Sequence, residues 1–279
     1  MQIDVIGIPR DRQAQPAGPI RFLGKITLEA LGTVSGMAAL FVMTLTAALS
    51  IRPPRHRHLW LRTRRVIARS SLRLMPWVTL LAAGLGLTVV GQLMVFFTDY
   101  SAIEQALGPI LVSCVIHELG PAAMATLVLS VAGTATVIEL GTAHATGALH
   151  SHNIRERELI HQNVLPRVLG LSLSIFCLSI YFITLTLGFA YGIVLLQHSQ
   201  LAPGLFVQEI VTALTWGSFW VLLLKPLAFG CSIGLIACYE GLVRPVQLEH
   251  LSATTIRSAT GSILLCAVID VLFIPYVFN

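Results

Sequence analysis

Charge is what this chain has least of: 11% of its 279 residues are Asp, Glu, Lys or Arg, against 55% hydrophobic. So few charges cannot cover a water-facing surface, which excludes an ordinary soluble protein and predicts an integral membrane one. No stretch between the apolar segments is long enough for a separate soluble domain of ordinary size. ATP hydrolysis, if needed, must then come from a partner. Nucleophile-elbow sequences, Walker-type glycine loops and paired acids suited to hydrolysis are all missing, which argues against an enzyme. The five cysteines, Cys114, Cys177, Cys231, Cys238 and Cys266, lie singly in or beside apolar runs with no CxxC pair. That excludes a disulfide framework and leaves packing as their role. Residues Met1 to Pro19 have no apolar h-region or small-residue cleavage site, so no cleavable signal peptide is expected.

Positive charge is modest in total, at a formal +5, but concentrated. Eight arginines fall between Arg52 and Arg73, mixed with Trp60 and Leu61 and directly ahead of a long apolar run. This is the pattern of an interfacial segment held against anionic headgroups on the cytoplasmic side, and no nucleic-acid partner is expected. Clear membrane segments follow at about 74–97, 107–141, 165–196, 206–239 and 258–277. Several exceed the roughly 20 residues a crossing needs, so tilts or kinks are expected near Pro109, Pro121 and Pro226. Residues 26–51 are mostly apolar but contain Gly32 and Gly36, and read either as a span or as a helix embedded in one leaflet. The connectors near 98–105 and 197–209 lack Lys and Arg, whereas those near 142–167 and 243–257 carry Arg155, Arg157, Arg167, Arg244 and Arg257. The second pair should be cytoplasmic, which gives a cytoplasmic N-terminus and a periplasmic C-terminus. The expected fold is an all-α membrane protein with about five transmembrane helices. Three regions follow: a cytoplasmic segment 1–25, membrane-embedded and basic interfacial helices 26–73, and a five-span unit 74–279.

The tripeptide Glu-Leu-Gly occurs twice, at Glu118-Leu119-Gly120 and at Glu139-Leu140-Gly141. The two glutamates are separated by about 30 Å of helix, close to the hydrocarbon thickness of a bilayer. They mark the two ends of one crossing. An ionised carboxylate in hydrocarbon is costly, so Glu118 should face a partner or a wet cavity. His117 is placed to donate it a hydrogen bond, and Gly120-Pro121 to open the helix and expose backbone carbonyls. Lys225 and Asp270 are each the lone fixed charge of an apolar run. Either they form a buried ion pair that fixes helix packing, or Glu118, Lys225 and Asp270 line one polar patch where Lys225 meets a lipid phosphate.

The run His117-Glu118-Leu119-Gly120-Pro121, then Glu139-Leu140-Gly141-Thr142, then Leu165-Pro166-Arg167-Val168-Leu169 resembles the MlaE/YrbE family of ABC-transporter permeases. Further matches are Leu224-Lys225-Pro226-Leu227-Ala228-Phe229-Gly230, Ala237-Cys238-Tyr239-Glu240-Gly241-Leu242, Ala253-Thr254-Thr255 and Asp270, in order from about residue 25 to the end. The resemblance implies a homodimeric permease in the bacterial inner membrane that moves phospholipid or other hydrophobic molecules between inner and outer membranes, supporting outer-membrane lipid asymmetry. It implies as partners a cytoplasmic ABC ATPase, which would bind ATP and Mg, a periplasmic MCE-domain lipid-binding protein, and a small STAS-type subunit as a further candidate. No cofactor is implied on this chain itself.

In the resembled family a cytoplasmic coupling helix docks on the ATPase after the second Glu-Leu-Gly. This assigns Glu139, Gly141, Thr142, His150, Arg155 and Arg157 to ATPase coupling, and the alternating charges Arg155-Glu156-Arg157-Glu158 suit a protein contact. The chain departs from the family in two places here. The Ala-Gly-Arg-Val-Gly stretch before the second Glu-Leu-Gly reads Leu129-Ser130-Val131-Ala132-Gly133, without the arginine, and the usually acidic segment reads Gly147-Ala148-Leu149-His150-Ser151-His152. His144, His150, His152 and His161 fit no established zinc spacing, so no metal site is assigned. Two other classes stay open from the residues alone: an ion- or proton-coupled transporter working through Glu118, Lys225 and Asp270, and a non-transporting scaffold of a periplasmic complex.

Overall fold

The computed structural model describes residues 36, 37, 39–44, 46, 56–96, 111–146, 163–197, 208, 210–212, 214, 216–242 and 251–277. Among them there is no strand. Five long helices dominate: α1 (His56–Phe96), α2 (residues 111–145), α3 (Leu165–Gln197), α4 (Trp216–Leu242) and α5 (Leu251–Val277). Each contains a stretch long and apolar enough to cross a membrane, namely Trp60–Val89, Val112–Ala145, Leu165–Ile193, Gly217–Leu242 and Ser252–Pro275. Among the described residues the expected all-α fold forms, with five helices long and apolar enough to cross a membrane. The coupling segment with His150, Arg155 and Arg157 lies outside the described residues, as does most of 26–51.

The basic stretch and the first span prove to be one helix. Thr63, Ser70, Leu74, Val78 and Ala82 recur at helical spacing and are all buried, so a single stripe runs through both parts of α1. The arginines do not interrupt it, because Arg62, Arg64, Arg65, Arg69 and Arg73 sit on exposed positions and long aliphatic stems carry the charge to headgroup level. Helix α5 likewise starts at Leu251, several residues ahead of its apolar run. Hydropathy marks only the part of a helix that meets hydrocarbon.

Helix α2 absorbs its excess length by winding. Residues Leu111–Leu119 and Leu129–Gly133 form π turns, with α-helix between them at Gly120–Val128 and after them at Thr134–Ala145. The wider turns advance less per residue, and the first of them ends where Pro121 cannot donate a backbone hydrogen bond.

Lipid tails are as apolar as leucine, so close packing and polar ties must hold the helices together. The closest approach joins α3 to α4 through Gly230 and Gly234, four residues apart. A Cβ on Gly230 would lie 2.2 Å from Cα of Ser172, and one on Gly234 would lie 2.9 Å from Cα of Val168. The two backbones therefore touch, and the Ser172 hydroxyl donates to the Leu227 carbonyl at 3.0 Å. Between α1 and α3, hydroxyls pair at Ser70–Ser174, 3.2 Å, and Thr79–Tyr181, 3.0 Å. Phe182, Ile175, Leu171, Met124 and Phe229 fill the core. Helix α4 is central, with 67% of its membrane window buried, whereas α5 is peripheral, with 11%. At the end of the bundle where α4 finishes, Leu40 from the N-terminal segment packs on Leu140, Val164, Val168 and Cys238.

Gly230→Ala is expected to destabilise the fold by about 1–3 kcal/mol, because its methyl must displace backbone. Gly188→Ala, where a Cβ meets nothing within 4 Å, should leave stability unchanged or slightly raised. Thermal unfolding of the two variants in one detergent checks this, and equal midpoints would contradict the packing described.

Candidate functional site

Helices α4 and α5 are antiparallel, and their register brings two isolated charges to one depth. Lys225 lies 17 residues before the end of α4 at Leu242, and Asp270 lies 19 residues after the start of α5 at Leu251. Both are thus about 25–29 Å from the shared end. Helix α2 supplies the third member. Because Pro121 has no N–H, the His117 carbonyl four residues earlier loses its α-helical donor. Lys225 takes that place.

The ammonium is surrounded by oxygen. Nζ donates to the His117 carbonyl at 2.8 Å and to Glu118 Oε2 at 3.0 Å, and stands 2.5 Å from Asp270 Oδ1. The Asp270 contact is a charge contact without hydrogen-bond alignment. Lys225 is fully buried, while the side chains of Glu118 and Asp270 are 43% and 34% exposed. The cluster is therefore closed around the cation and open along its two acids. An unpaired lysine at this depth would cost several kcal/mol, so Lys225 needs these partners. Both arrangements that the sequence left open are present together: Lys225 pairs with Asp270, and Glu118 joins them.

His117 does not do what its position suggested. Its imidazole is 3% exposed and neither ring nitrogen has a hydrogen-bond partner. Glu118 is held by Lys225, and His117 contributes its main-chain oxygen instead. The reason is geometric: the opened turn directs the carbonyl, and not the ring, toward the cation.

A second charge centre lies about 30 Å further along α2. The two carboxylate oxygens of Glu139 are taken separately, Oε1 by Arg69 of α1 at 3.2 Å and Oε2 by Arg167 of α3 at 3.1 Å. Arg69 is 84% exposed and Arg167 only 20%, so the Arg167 arm is less screened. Gly141 is buried against Gly241 of α4, and Thr142 returns its hydroxyl to the carbonyls of Ile138 and Glu139. Glu139 thus ties three helices together at the basic end of the bundle.

Of the residues singled out from sequence, Glu118, Lys225 and Asp270 meet directly, and Glu139, Gly141 and Thr142 share the opposite end. Sequence reasoning missed Arg69 and Arg167 as the partners of Glu139, and the glycine pair 230/234. The Gly-Cys-Ser-Ile-Gly spacing was a readable signal for the second, and nothing local was for the first.

Five apolar helices among the described residues, with a caged cation at depth and a charge tie at one end, define a polytopic helical membrane protein. Residues 63–275 match the family described as Permease MlaE, and the chain belongs to that family. It is 25% identical to the intermembrane phospholipid transport system permease protein MlaE of Haemophilus influenzae over 197 residues, covering 70% of this chain and 74% of the relative. It is also 25% identical to the probable ABC transporter permease protein slr1045 of Synechocystis over 189 residues, covering 67% and 71%. Against the probable ABC transporter permease protein ycf63 of Pyropia yezoensis it is 21% identical over 180 residues, covering 64% and 68%.

Lys225→Met should destabilise the chain by about 3–5 kcal/mol, since it strands two acids at membrane depth. Adding Glu118→Gln and Asp270→Asn should restore most of that loss, and a triple variant no more stable than the single one would contradict a charge origin. At the other centre, Arg69→Gln should change stability by less than about 1 kcal/mol, and Arg167→Gln by more than Arg69→Gln. Thermal unfolding in detergent reads all four.

Proposed function

We propose that this chain is the permease subunit of an ABC-type system that moves phospholipids or similar hydrophobic molecules between inner and outer membranes, powered by a separate ATPase. Family membership carries the permease part, and the relatives' names supply the ABC and phospholipid parts. The observation that carries the lipid path is the Lys225 cage, which is closed around the ammonium and open along Glu118 and Asp270. A half-exposed carboxylate cannot rest against acyl chains, so this side of the bundle faces a wet cavity.

A second copy of the chain closes that cavity. Helix α5 presents Ile263, Leu264, Val268, Val271 and Leu272 on exposed positions around Asp270, which gives the protomers an apolar surface to meet on. The basic face of α1 supports a cytoplasmic Glu139 end and a Lys225 cluster on the periplasmic side, where an MCE-domain protein exchanges lipid with the permease. Glu139, Gly141 and Thr142, together with His150, Arg155 and Arg157, form the end that answers the ATPase. Because Glu139 binds Arg69 and Arg167, a push on the coupling segment passes to α1 and α3 as well as along α2.

The native complex, purified in mild detergent, should contain an ABC ATPase and bound phospholipid by mass spectrometry. Reconstituted in vesicles, it should transfer lipid to acceptor membranes only with hydrolysable nucleotide. A preparation with no ATPase, or lipid movement driven by a pH gradient without ATP, would overturn this reading.

A further inference from the structure

We infer that the π turn at Leu129–Gly133 is a joint built into α2, which lets the Glu139 end of the helix turn while the Glu118 end stays locked on Lys225. The use of this joint, though not its geometry, rests on the reading above that an ATPase acts at the Glu139 end.

The need for it is written in the spacing of the chain. Pro121, Ala125, Leu129, Gly133, Val137 and Gly141 are all buried, one every four residues. Four residues of α-helix turn through about 400°, so in an unbroken α-helix these positions would drift by about 40° per step and by about 200° from Pro121 to Gly141. The last of them would then face away from the bundle. A π turn closes its hydrogen bonds around one residue more than an α turn. The turn at Leu129–Gly133 thus takes up one residue of the excess and brings the stripe back toward the other helices.

The hydrogen bonds around this turn do not commit the extra residue to one position. Ahead of it the Leu129 N–H is shared between the carbonyls of Ala125 and Thr126, and after it the Thr134 N–H is shared between those of Leu129 and Val131, five and three residues back. Hydroxyls supply a second set of donors. Thr126 donates to Ala122 and Ala123, Ser130 to Leu127 at 2.9 Å, Thr134 to Ser130 at 2.6 Å, and Thr136 to Ala132 at 2.7 Å. A carbonyl held by a hydroxyl keeps a partner while its backbone N–H moves to the next acceptor. Register can therefore change here without stranding polar groups in hydrocarbon, where each would cost several kcal/mol. Ser130 is exposed and Val131, Ala132 and Thr134 are half-buried, so one side of the turn is not packed into the bundle.

The other π stretch cannot serve in the same way. Leu111–Leu119 carries the His117 carbonyl and Glu118, and rewinding it would pull both from the buried ammonium. Among the described residues, Leu129–Gly133 has no ion pair and no side-chain hydrogen bond to another helix. Below the joint, Glu139 is tied to Arg69 and Arg167 by partly exposed pairs that re-form at modest cost. The segment Thr134–Ala145 is thus free to move with α1 and α3 against a fixed upper half.

Hydrogen–deuterium exchange on the native complex in lipid, with and without hydrolysable nucleotide, reads the joint in the unaltered protein. Amides of 129–134 should exchange faster during turnover while those of 117–125 stay protected. Deleting Val131 removes the extra residue and leaves an α turn. The deleted chain should still assemble with the ATPase and unfold no earlier than wild type, yet lose the nucleotide-dependent exchange at 129–134 and most nucleotide-driven lipid transfer. Val131→Ala, which keeps the residue count, should retain both. A wild-type complex that transfers lipid with nucleotide but shows no exchange change at 129–134, or an equal one throughout 117–145, would overturn the joint and leave the permease reading intact. So would a deletion variant that transfers lipid as well as wild type. A wild-type complex without nucleotide-driven transfer would instead remove the coupling reading, and the use of the joint with it.

Discussion

A lysine ammonium with no access to water, held in a helix meant for hydrocarbon, is the constraint around which this bundle is arranged. Lys225 has to be met by oxygen from its neighbours, and each source of oxygen fixes something else. Asp270 fixes the register of α5 on α4. Glu118 and the His117 carbonyl fix the rotation of α2, and Pro121 is what makes that carbonyl free. Small residues then let the remaining helices come close enough for the arrangement to close, with Gly230 and Gly234 bringing α3 against α4. Hydrophobic burial alone would not choose among these registers, because in lipid one apolar face is nearly as good as another.

Helix α2 connects this cage to a second, softer charge centre. The Glu139 tie to Arg69 and Arg167 is partly exposed and sits at the basic end, where headgroups and water screen it. The two centres therefore differ in kind. The deep one is a requirement of the fold, whereas the shallow one can change partners at modest cost. The π-wound stretches of α2 lie along the helix between and beyond them, so the element that joins the two ends is also the one whose winding departs from ideal.

Much of this was legible in the chain. Apolar runs of crossing length located the five candidate spans among the described residues, and the three isolated charges in those runs pointed to either a Lys225–Asp270 pair or a patch of all three. Other features were not. The arginines from 62 to 73 read as a separate interfacial piece, since polarity hides helical continuity when guanidinium groups sit on long stems. His117 read as a hydrogen-bond donor because sequence places its side chain next to Glu118, yet helix geometry sends neighbouring side chains in different directions. The partners of Glu139 are 70 and 28 residues away, beyond any local pattern.

By itself, then, the sequence determined the class: a polytopic helical membrane protein of the MlaE permease family, with costly charges that had to be paired. Composition and spacing suffice for that, because the bilayer imposes length and apolarity on every crossing regardless of what it packs against. Tertiary structure decided which charges meet, that both acids share one lysine, and that a proline-freed carbonyl completes the cage. Those outcomes depend on the rotation and depth of helices far apart in the chain, and rotation is set by close packing that no single segment encodes.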